Sequence, residues 1–220
     1  GTFLVAKERI DNFQWEDLKG EKFLGQRKGG MPQMVGEFVL NKHDIDPHQD
    51  LELTQNVEFA NIPSAFASGD YQFVQLFEPT ASVFEKENNG YVIASFGEES
   101  GLIPYTVFMA KDSFMKENEA TIEKFTRAIY KAQQWVAETD AEEIAKVVQP
   151  YFDDTELDIL ASSIARYKEQ NSYALDPILT EEAWNNLLDI MEEAGELPKQ
   201  VPYETLVNTA IAEKVIAEEK

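Results

Sequence analysis

The stretch FLGQRKGGMPQM, residues 23–34, has the composition of a turn between a buried strand and a helix. Gly29 and Gly30 permit backbone conformations that other residues avoid, and they let a ligand approach the main chain closely. Pro32 suits the first turn of a helix, where its missing N–H costs no hydrogen bond. Free N–H groups at such a helix start, beside two basic residues, favour an anion or a polar ligand edge. A tight connection with solvated charges explains the same residues, and the pattern is neither GxxxxGK[ST] nor GxGxxG.

Outward from this turn, short apolar runs alternate with short helical patterns. The helical patterns lie at 32–42, 62–69 and 79–87. The predicted strands are TFLVA (2–6), KFLGQ (22–26), LELTQ (51–55), YQFVQLF (71–77), YVIASFG (91–97) and PYTVFMA (104–110). Strands that alternate with helices predict βαβ units on a mostly parallel sheet. We therefore expect an α/β fold with parallel strands near 22–26, 51–55 and 72–76.

After residue 111 the pattern is helical throughout. Apolar residues recur at spacings of three and four, and helices are predicted at 122–136, 141–148, 157–167, 181–194 and 203–218. Thr180 begins a capping box and Gly195 is a typical helix stop. The chain therefore reads as an α/β module followed by a long helical arm.

Composition excludes several classes of partner and site. With 41 acidic against 19 basic residues and a formal net charge of −22, binding to nucleic acid or to an anionic lipid surface is disfavoured. The chain has no cysteine, hence no disulfide framework and no thiolate nucleophile. His43 and His48, in HDIDPHQD, fit neither the zinc helix motif nor the calcium loop. No metal, cofactor or catalytic residue is expected.

Taken in order, three segments resemble the solute-binding proteins of ABC importers, in the branch that binds nitrate, sulfonates, taurine and thiamine-pyrimidine precursors. The segments are LKGEKFLGQRKGGMPQMVGEFVLNKHDIDP (18–47), FASGDYQFVQLFEPTA (66–81) and IPYTVFMAKDSFMKEN (103–118), and residues 195–207 match the end of the family pattern. The resemblance implies a periplasmic-binding-protein-like fold, in which two α/β lobes joined by crossing strands hold a small molecule between them. It also implies delivery to ABC permease subunits from an extracytoplasmic position, either in the periplasm or lipid-anchored at the outer face of the membrane.

On this resemblance, residues 15–103 are the complete second lobe. Residues 1–14 and 104–220 then supply crossing strands, C-terminal helices and part of a first lobe. The opening GTFLVAKE reads as the middle of a strand, which favours a removed preceding segment. The helices of 114–218 would then carry uncovered apolar faces, and we expect these faces to be exposed, mobile or buried by self-association.

Ligands of open α/β sheets bind where strands end and helices begin. The candidate ligand-binding residues are Arg27, Lys28, Gly29, Gly30, Met31 and Gln33 at the first such turn, Asn56 and the pair Phe77 and Glu78 after later strands, and Tyr105 and Thr106 on the expected crossing strand. Each has a plainer explanation: the basic side chains could be solvated, Asn56 an ordinary turn residue, and Glu78 a carboxylate that stabilises a helix start.

The residues favour a binding protein over an enzyme. An enzyme on a similar α/β frame is disfavoured because the sequence has no cysteine, no nucleophile elbow and no phosphate-binding loop. A pair of catalytic carboxylates among the many acidic residues stays an open alternative. The related enzyme that makes the thiamine pyrimidine carries a cysteine-rich motif that is missing here. Two classes of ligand are candidates. An amino heterocycle is favoured by Phe77, Tyr105 and Glu78. An anion such as nitrate or taurine is favoured by the glycine turn, residues 27–32, with Arg27, although Glu78 would repel it.

Overall fold

The computed structural model describes residues 1–219, which divide into two compact units. Unit 1 consists of Gly1–Leu102 and Leu188–Pro198, and unit 2 consists of Ile103–Leu187 and the chain from Lys199 onward. Unit 1 contains a sheet with helices, whereas the regular structure of unit 2 is helical.

Unit 1 is built on a five-stranded sheet with the strand order β3-β2-β4-β1-β5. Its strands are β1 (Phe3–Ala6), β2 (Lys22–Leu24), β3 (Glu52–Thr54), β4 (Phe73–Leu76) and β5 (Tyr91–Ser95). β2 is parallel to β3 and to β4, so that Leu24 lies opposite Thr54 on one side and Val74 on the other. The three parallel strands expected from the sequence are confirmed.

β1 precedes residues 15–103 in the chain and belongs to the sheet of unit 1. β1 pairs antiparallel with both β4 and β5, and its four side chains are buried. An apolar run that is buried on both faces suits an interior position in a sheet, which accounts for its place among strands of 15–103. The assignment of residues 15–103 to a complete lobe stays a prediction, and the sheet of unit 1 includes a strand from outside that range.

Helices follow each parallel strand of unit 1. They are α1 (Met31–Lys42), α2 (Ile62–Ser68), α3 (Thr80–Lys86) and α4 (Phe96–Glu99), with 3-10 turns at Trp15–Leu18 and Phe59–Asn61. α1 begins after Gly30 and carries Pro32 in its first turn, as FLGQRKGGMPQM predicts. Val35, Val39 and Leu40 form the buried face of this helix, since residues four apart share a side.

Unit 2 contains most of the remaining helices. They are α5 (Asp112–Glu117), α6 (Glu119–Glu138), α7 (Ala141–Val148), α8 (Leu157–Glu169), α9 (Glu181–Glu193), α10 (Tyr203–Leu206) and α11 (Ala210–Glu219), and the last residues of α9 belong to unit 1. α7 and α8 pack on a buried apolar cluster formed by Ile144, Ala145, Leu160 and Ile164. The predicted helices at 122–136, 141–148, 157–167 and 181–194 are confirmed.

Charged side chains fasten α11 to α6. The guanidinium of Arg127 pairs with Glu218 and Glu219, and the Lys214 ammonium lies 2.6 Å from a carboxylate oxygen of Glu123. Hydrogen bonding to Arg127 is the largest cause that lowers the pKa of Glu219. The contact therefore depends on ionised carboxylates.

Two predicted elements are wrong. PYTVFMA (104–110) is not a strand, and Phe108 and Met109 are 71% and 90% exposed. A strand needs a neighbour to receive its backbone hydrogen bonds, and among residues 1–219 none pairs with this segment. The helix predicted at 203–218 is divided into α10 and α11, because the side-chain oxygen of Asn208 accepts from the backbone N–H of Ala210, a local bond that starts a new helix.

No helix within residues 1–219 combines the length and apolar composition that a membrane crossing requires.

Candidate functional site

The carboxyl ends of β2, β3 and β4 meet at one edge of the unit 1 sheet, because the three strands run in the same direction. We call this the carboxyl edge and define it as residues 25–33, 55–61 and 77–82. Nine of the eleven candidate ligand-binding residues lie here, namely Arg27, Lys28, Gly29, Gly30, Met31, Gln33, Asn56, Phe77 and Glu78. The fold thus brings together residues that are up to 51 positions apart in the chain.

The glycine turn is held by a side chain of the helix that follows it. Gly29 has a φ of +84°, a conformation that glycine adopts without strain. Its backbone N–H donates to the Oε1 atom of Gln33 at 3.1 Å, and Gln33 itself is buried. Gly30 precedes the helix with extended backbone, and its carbonyl accepts from the N–H of Met34. Gln33 therefore shapes the turn, while Met31 is half-buried in the first turn of α1.

Two side-chain contacts link the three loops of the carboxyl edge. An Nη1 atom of Arg27 lies 3.3 Å from a carboxylate oxygen of Glu58, which joins the first loop to the second. The rings of Phe59 and Phe77 pack edge to face with their centroids 5.9 Å apart, which joins the second loop to the third. Arg27 and Glu58 are both mostly exposed, so their ion pair adds little stability.

Glu78 is engaged at the start of α3. One carboxylate oxygen accepts from the backbone N–H of Ser82 and the other from its hydroxyl, both at 3.0 Å. A carboxylate that satisfies a backbone N–H at a helix start is stabilising there. The plainer explanation of Glu78 is therefore realised in the structure, and a ligand contact would be additional to it.

Asn56 and Lys28 are exposed at the carboxyl edge. Next to Asn56, the side-chain amide of Gln55 donates to Glu37 of α1 at 2.7 Å. This bond ties the loop after β3 to the helix that begins at the glycine turn.

Tyr105 and Thr106 belong to unit 2. They lie in the irregular segment that replaces the expected strand, so the prediction that they sit on a crossing strand is wrong. Burial raises the pKa of the Tyr105 hydroxyl well above its usual range, with a smaller contribution from Tyr167. Thr106 is exposed. A ligand role for either residue stays a prediction.

The sequence analysis missed a buried polar cluster beneath the glycine turn. Gln26 and Gln75 are 3% and 1% exposed. The side-chain amide of Gln75 donates to the Thr2 hydroxyl and to the Pro32 carbonyl, both at 2.7 Å. The signal was available in FVQL, where a glutamine interrupts a run that is otherwise buried and apolar.

The histidines are engaged in separate contacts. The Nε2 atom of His43 lies 2.9 Å from Glu99, and its ring stacks on Trp15 with centroids 4.6 Å apart. In the turn between helix and strand, Asp46 accepts from the backbone N–H of His48. Within residues 1–219 no group of three or more His, Cys, Asp or Glu side chains is placed to hold a metal ion.

Comparison with known proteins identifies the family of this chain. A model described as the NMT1-like family matches residues 9–149, which is more than half of the chain. The chain belongs to the NMT1-like family. This NMT1-like chain is also 61% identical over 218 residues to YtlA of Bacillus subtilis (strain 168), which is named as a candidate binding protein. The match covers 99% of this chain and 65% of YtlA, so the chain spans about two thirds of that relative's length.

Solved structures share the fold of this NMT1-like chain at low identity. A periplasmic sulfonate-binding protein, SsuA from Methylobacillus flagellatus KT, matches with a TM-score of 0.75 and 16% identity over 99% of this chain and 66% of that one. The desulfurization enzyme DSZB matches with a TM-score of 0.54 and 12% identity over 100% of this chain and 76% of that one. The predicted periplasmic-binding-protein-like α/β fold is confirmed, and proteins of this fold include both binding proteins and an enzyme.

Proposed function

We propose that this chain is part of the solute-binding component of an ABC importer, without catalytic activity of its own. It captures a small molecule at the carboxyl edge and passes it to permease subunits from an extracytoplasmic position. The observation that carries the proposal is the meeting of three linked loops at the start of α1, since open α/β sheets bind ligands at that edge. The identity to YtlA, which is named as a candidate binding protein, supports it.

The absence of enzymatic activity is also part of the proposal. The chain has no cysteine, and at the carboxyl edge the carboxylate of Glu58 pairs with Arg27 while that of Glu78 accepts from Ser82. A binding role needs donors, acceptors and apolar walls but no nucleophile, and the carboxyl edge offers these. The likeness to DSZB makes a desulfurisation assay the natural control for this part of the proposal.

For the ligand, we propose an amino heterocycle similar to a thiamine precursor. The pair Phe59 and Phe77 offers an aromatic wall, and a carboxylate can accept about four hydrogen bonds, so acceptance from Ser82 is compatible with a further donor from a ligand. The alternative is an anion such as nitrate, a sulfonate or taurine, held by the start of α1 and by Arg27. The negative charge of Glu78 would stabilise a bound amino heterocycle and would repel a bound anion.

The substitution Glu78→Gln separates the two classes. In titration calorimetry with a methylaminopyrimidine, the loss of a charge-assisted hydrogen bond of roughly 1.5–3 kcal/mol should weaken binding about tenfold to a hundredfold. With taurine, the same variant should bind more tightly, because a repulsive charge is removed. Glu58→Gln is the matched control, since Glu58 lies at the same edge but in an exposed ion pair.

Four outcomes distinguish these possibilities. Weaker pyrimidine binding by Glu78→Gln, with Glu58→Gln unchanged, supports the heterocycle. Unchanged pyrimidine binding contradicts it, and tighter taurine binding supports the anion. If the unmodified chain binds neither probe but releases sulfur from a sulfinate, the binding-protein proposal itself is contradicted.

A further inference from the structure

We propose that Gln75 is a positioning residue that clamps both ends of the glycine turn, residues 27–32, and so sets the direction in which α1 begins. The part of the inference that concerns ligand affinity rests on the proposed function. The part that concerns the shape of the turn does not. Gln75 lies within β4, and as a buried residue it reaches the ligand through the turn it holds.

The first end of the turn is held by the main chain of residue 75. Gln26 follows the parallel strand β2 directly after Gly25, and its side-chain amide donates to the Gln75 carbonyl at 2.6 Å. Both residues are buried. A buried amide that loses such a bond is costly to leave unpaired, so this contact fixes where the turn leaves the sheet.

The second end is held by the side chain of residue 75. Its amide nitrogen donates to the Pro32 carbonyl, in the first turn of α1, and to the Thr2 hydroxyl, just before β1. One primary amide has two N–H donors, and these two acceptors match them. The side chain thereby connects the sheet to α1 at the position where the turn ends.

The packing of α1 against β4 is built around this amide. A Cβ atom placed on Gly36 would lie 2.8 Å from the Oε1 atom of Gln75 and 3.2 Å from its Nε2 atom. Glycine inside a helix is unfavourable, so its presence here is explained by the space that the Gln75 amide occupies. Gly36 and Gln75 form a complementary pair across the interface.

The donor role of Gln75 can be tested against a matched residue in the same segment. Gln72 also contacts the sheet through its side chain, but its Oε1 atom accepts, from the backbone N–H of Lys22 at 3.1 Å. A glutamate can replace an accepting amide and fails to replace a donating one once it is ionised. Gln75→Glu should therefore disturb the turn, and Gln72→Glu should leave it unchanged.

The readout is amide hydrogen exchange of the full chain, expressed as protection relative to the unmodified protein at each pH. In Gln75→Glu, the amides of Gly29 and Met34 should lose about tenfold or more in protection near pH 8. Burial raises the pKa of an introduced carboxyl group, so protection should recover as the pH falls and the protonated acid regains a donor. Gln75→Met, which has no donor, should show the loss at every pH.

Calorimetry with taurine and with a methylaminopyrimidine measures how the variants change ligand affinity. Whichever probe the unmodified chain binds should bind about tenfold more weakly to Gln75→Met and with unchanged affinity to Gln72→Glu. If the unmodified chain binds neither probe, the proposed function fails while the exchange data still decide the role of Gln75. If the amides of Gly29 and Met34 are as well protected in all three variants as in the unmodified protein, the inference is overturned. It is also overturned if Gln75→Met loses protection uniformly across β1, β4 and α1.

Discussion

Replacement of Gly36 by alanine tests how α1 is fitted to the sheet. In an exposed helix the change from glycine to alanine stabilises by roughly 0.8–1 kcal/mol, because the backbone loses less entropy on folding. At position 36 the new methyl group would lie 2.8 Å from the Gln75 side-chain oxygen, which is closer than real Cβ atoms approach. The amide of Gln75 must therefore move, or α1 must lift from the sheet.

The magnitude follows from what the movement breaks. Gln75 donates to Thr2 and to Pro32, and each bond contributes about 1 kcal/mol net. Overpacking a buried contact adds about 1–3 kcal/mol of strain. Against these terms the helix gains about 1 kcal/mol from alanine, so Gly36→Ala should destabilise unit 1 by about 2–4 kcal/mol. The sign is opposite to that expected from helix propensity.

Native-state hydrogen exchange of the β4 amides measures the free energy of unfolding of unit 1 without interference from unit 2. The same substitution in a Gln75→Ala background is the control, since the obstructing amide is then gone. There, Gly36→Ala should be neutral or stabilising by up to about 1 kcal/mol, which makes the coupling in the double-mutant cycle about 2–5 kcal/mol. A stabilising effect in the unmodified background, or the same effect in both backgrounds, would refute the reasoning.

Three further predictions concern unit 2. Ion pairs, chiefly with Arg127, lower the pKa of Glu219, so their contribution to stability is present above the ordinary glutamate pKa and is lost as the pH falls through the lowered value. Exchange of the α11 amides should accelerate as the pH falls through that value, and Arg127→Gln should reduce this pH dependence, with Lys131 still paired to Glu219. Ile144→Ala, at a side chain 4% exposed, should destabilise unit 2 by about 2–5 kcal/mol, whereas Val147→Ala on the same helix, 55% exposed, should change it by less than about 0.5 kcal/mol. Self-association through the helices of 114–218 should raise the weight-average mass measured by sedimentation as the concentration increases, and Phe114→Ser, at a side chain 47% exposed, should reduce that mass. A single monomeric mass at every concentration would contradict the expectation.

Much of the fold could be predicted because it is encoded locally. The alternation of apolar runs and helical spacings located the three parallel strands, and the apolar spacing of 141–148 predicted α7 with the bounds that the structure has. The glycine turn was predicted for the same reason, since Gly30 and Pro32 carry their conformational preferences wherever they occur. Because parallel strands end at the same edge of a sheet, the sequence also predicted that Arg27, Phe77 and Glu78 lie at one edge.

The features that required the tertiary structure depend on partners distant in the chain. PYTVFMA has the composition of a strand, yet backbone pairing is decided by the presence of a neighbouring strand. TFLVA does become a strand, and its antiparallel place between β4 and β5 depends on residues about 70 to 90 positions away.

The polar cluster shows the same division between local and distant information. The sequence placed a glutamine at position 75 in an apolar strand and a glycine at position 36 in a helix, and each alone reads as a weak departure from its pattern. Only the packing of α1 on β4 brings the two together, because the space that the glycine leaves open is filled by the glutamine amide. By itself the sequence determined which segments form strands and helices and where the glycine turn lies. The tertiary structure decided how the turn is held, because hydrogen bonds from a buried side chain depend on which distant atoms the fold brings within reach.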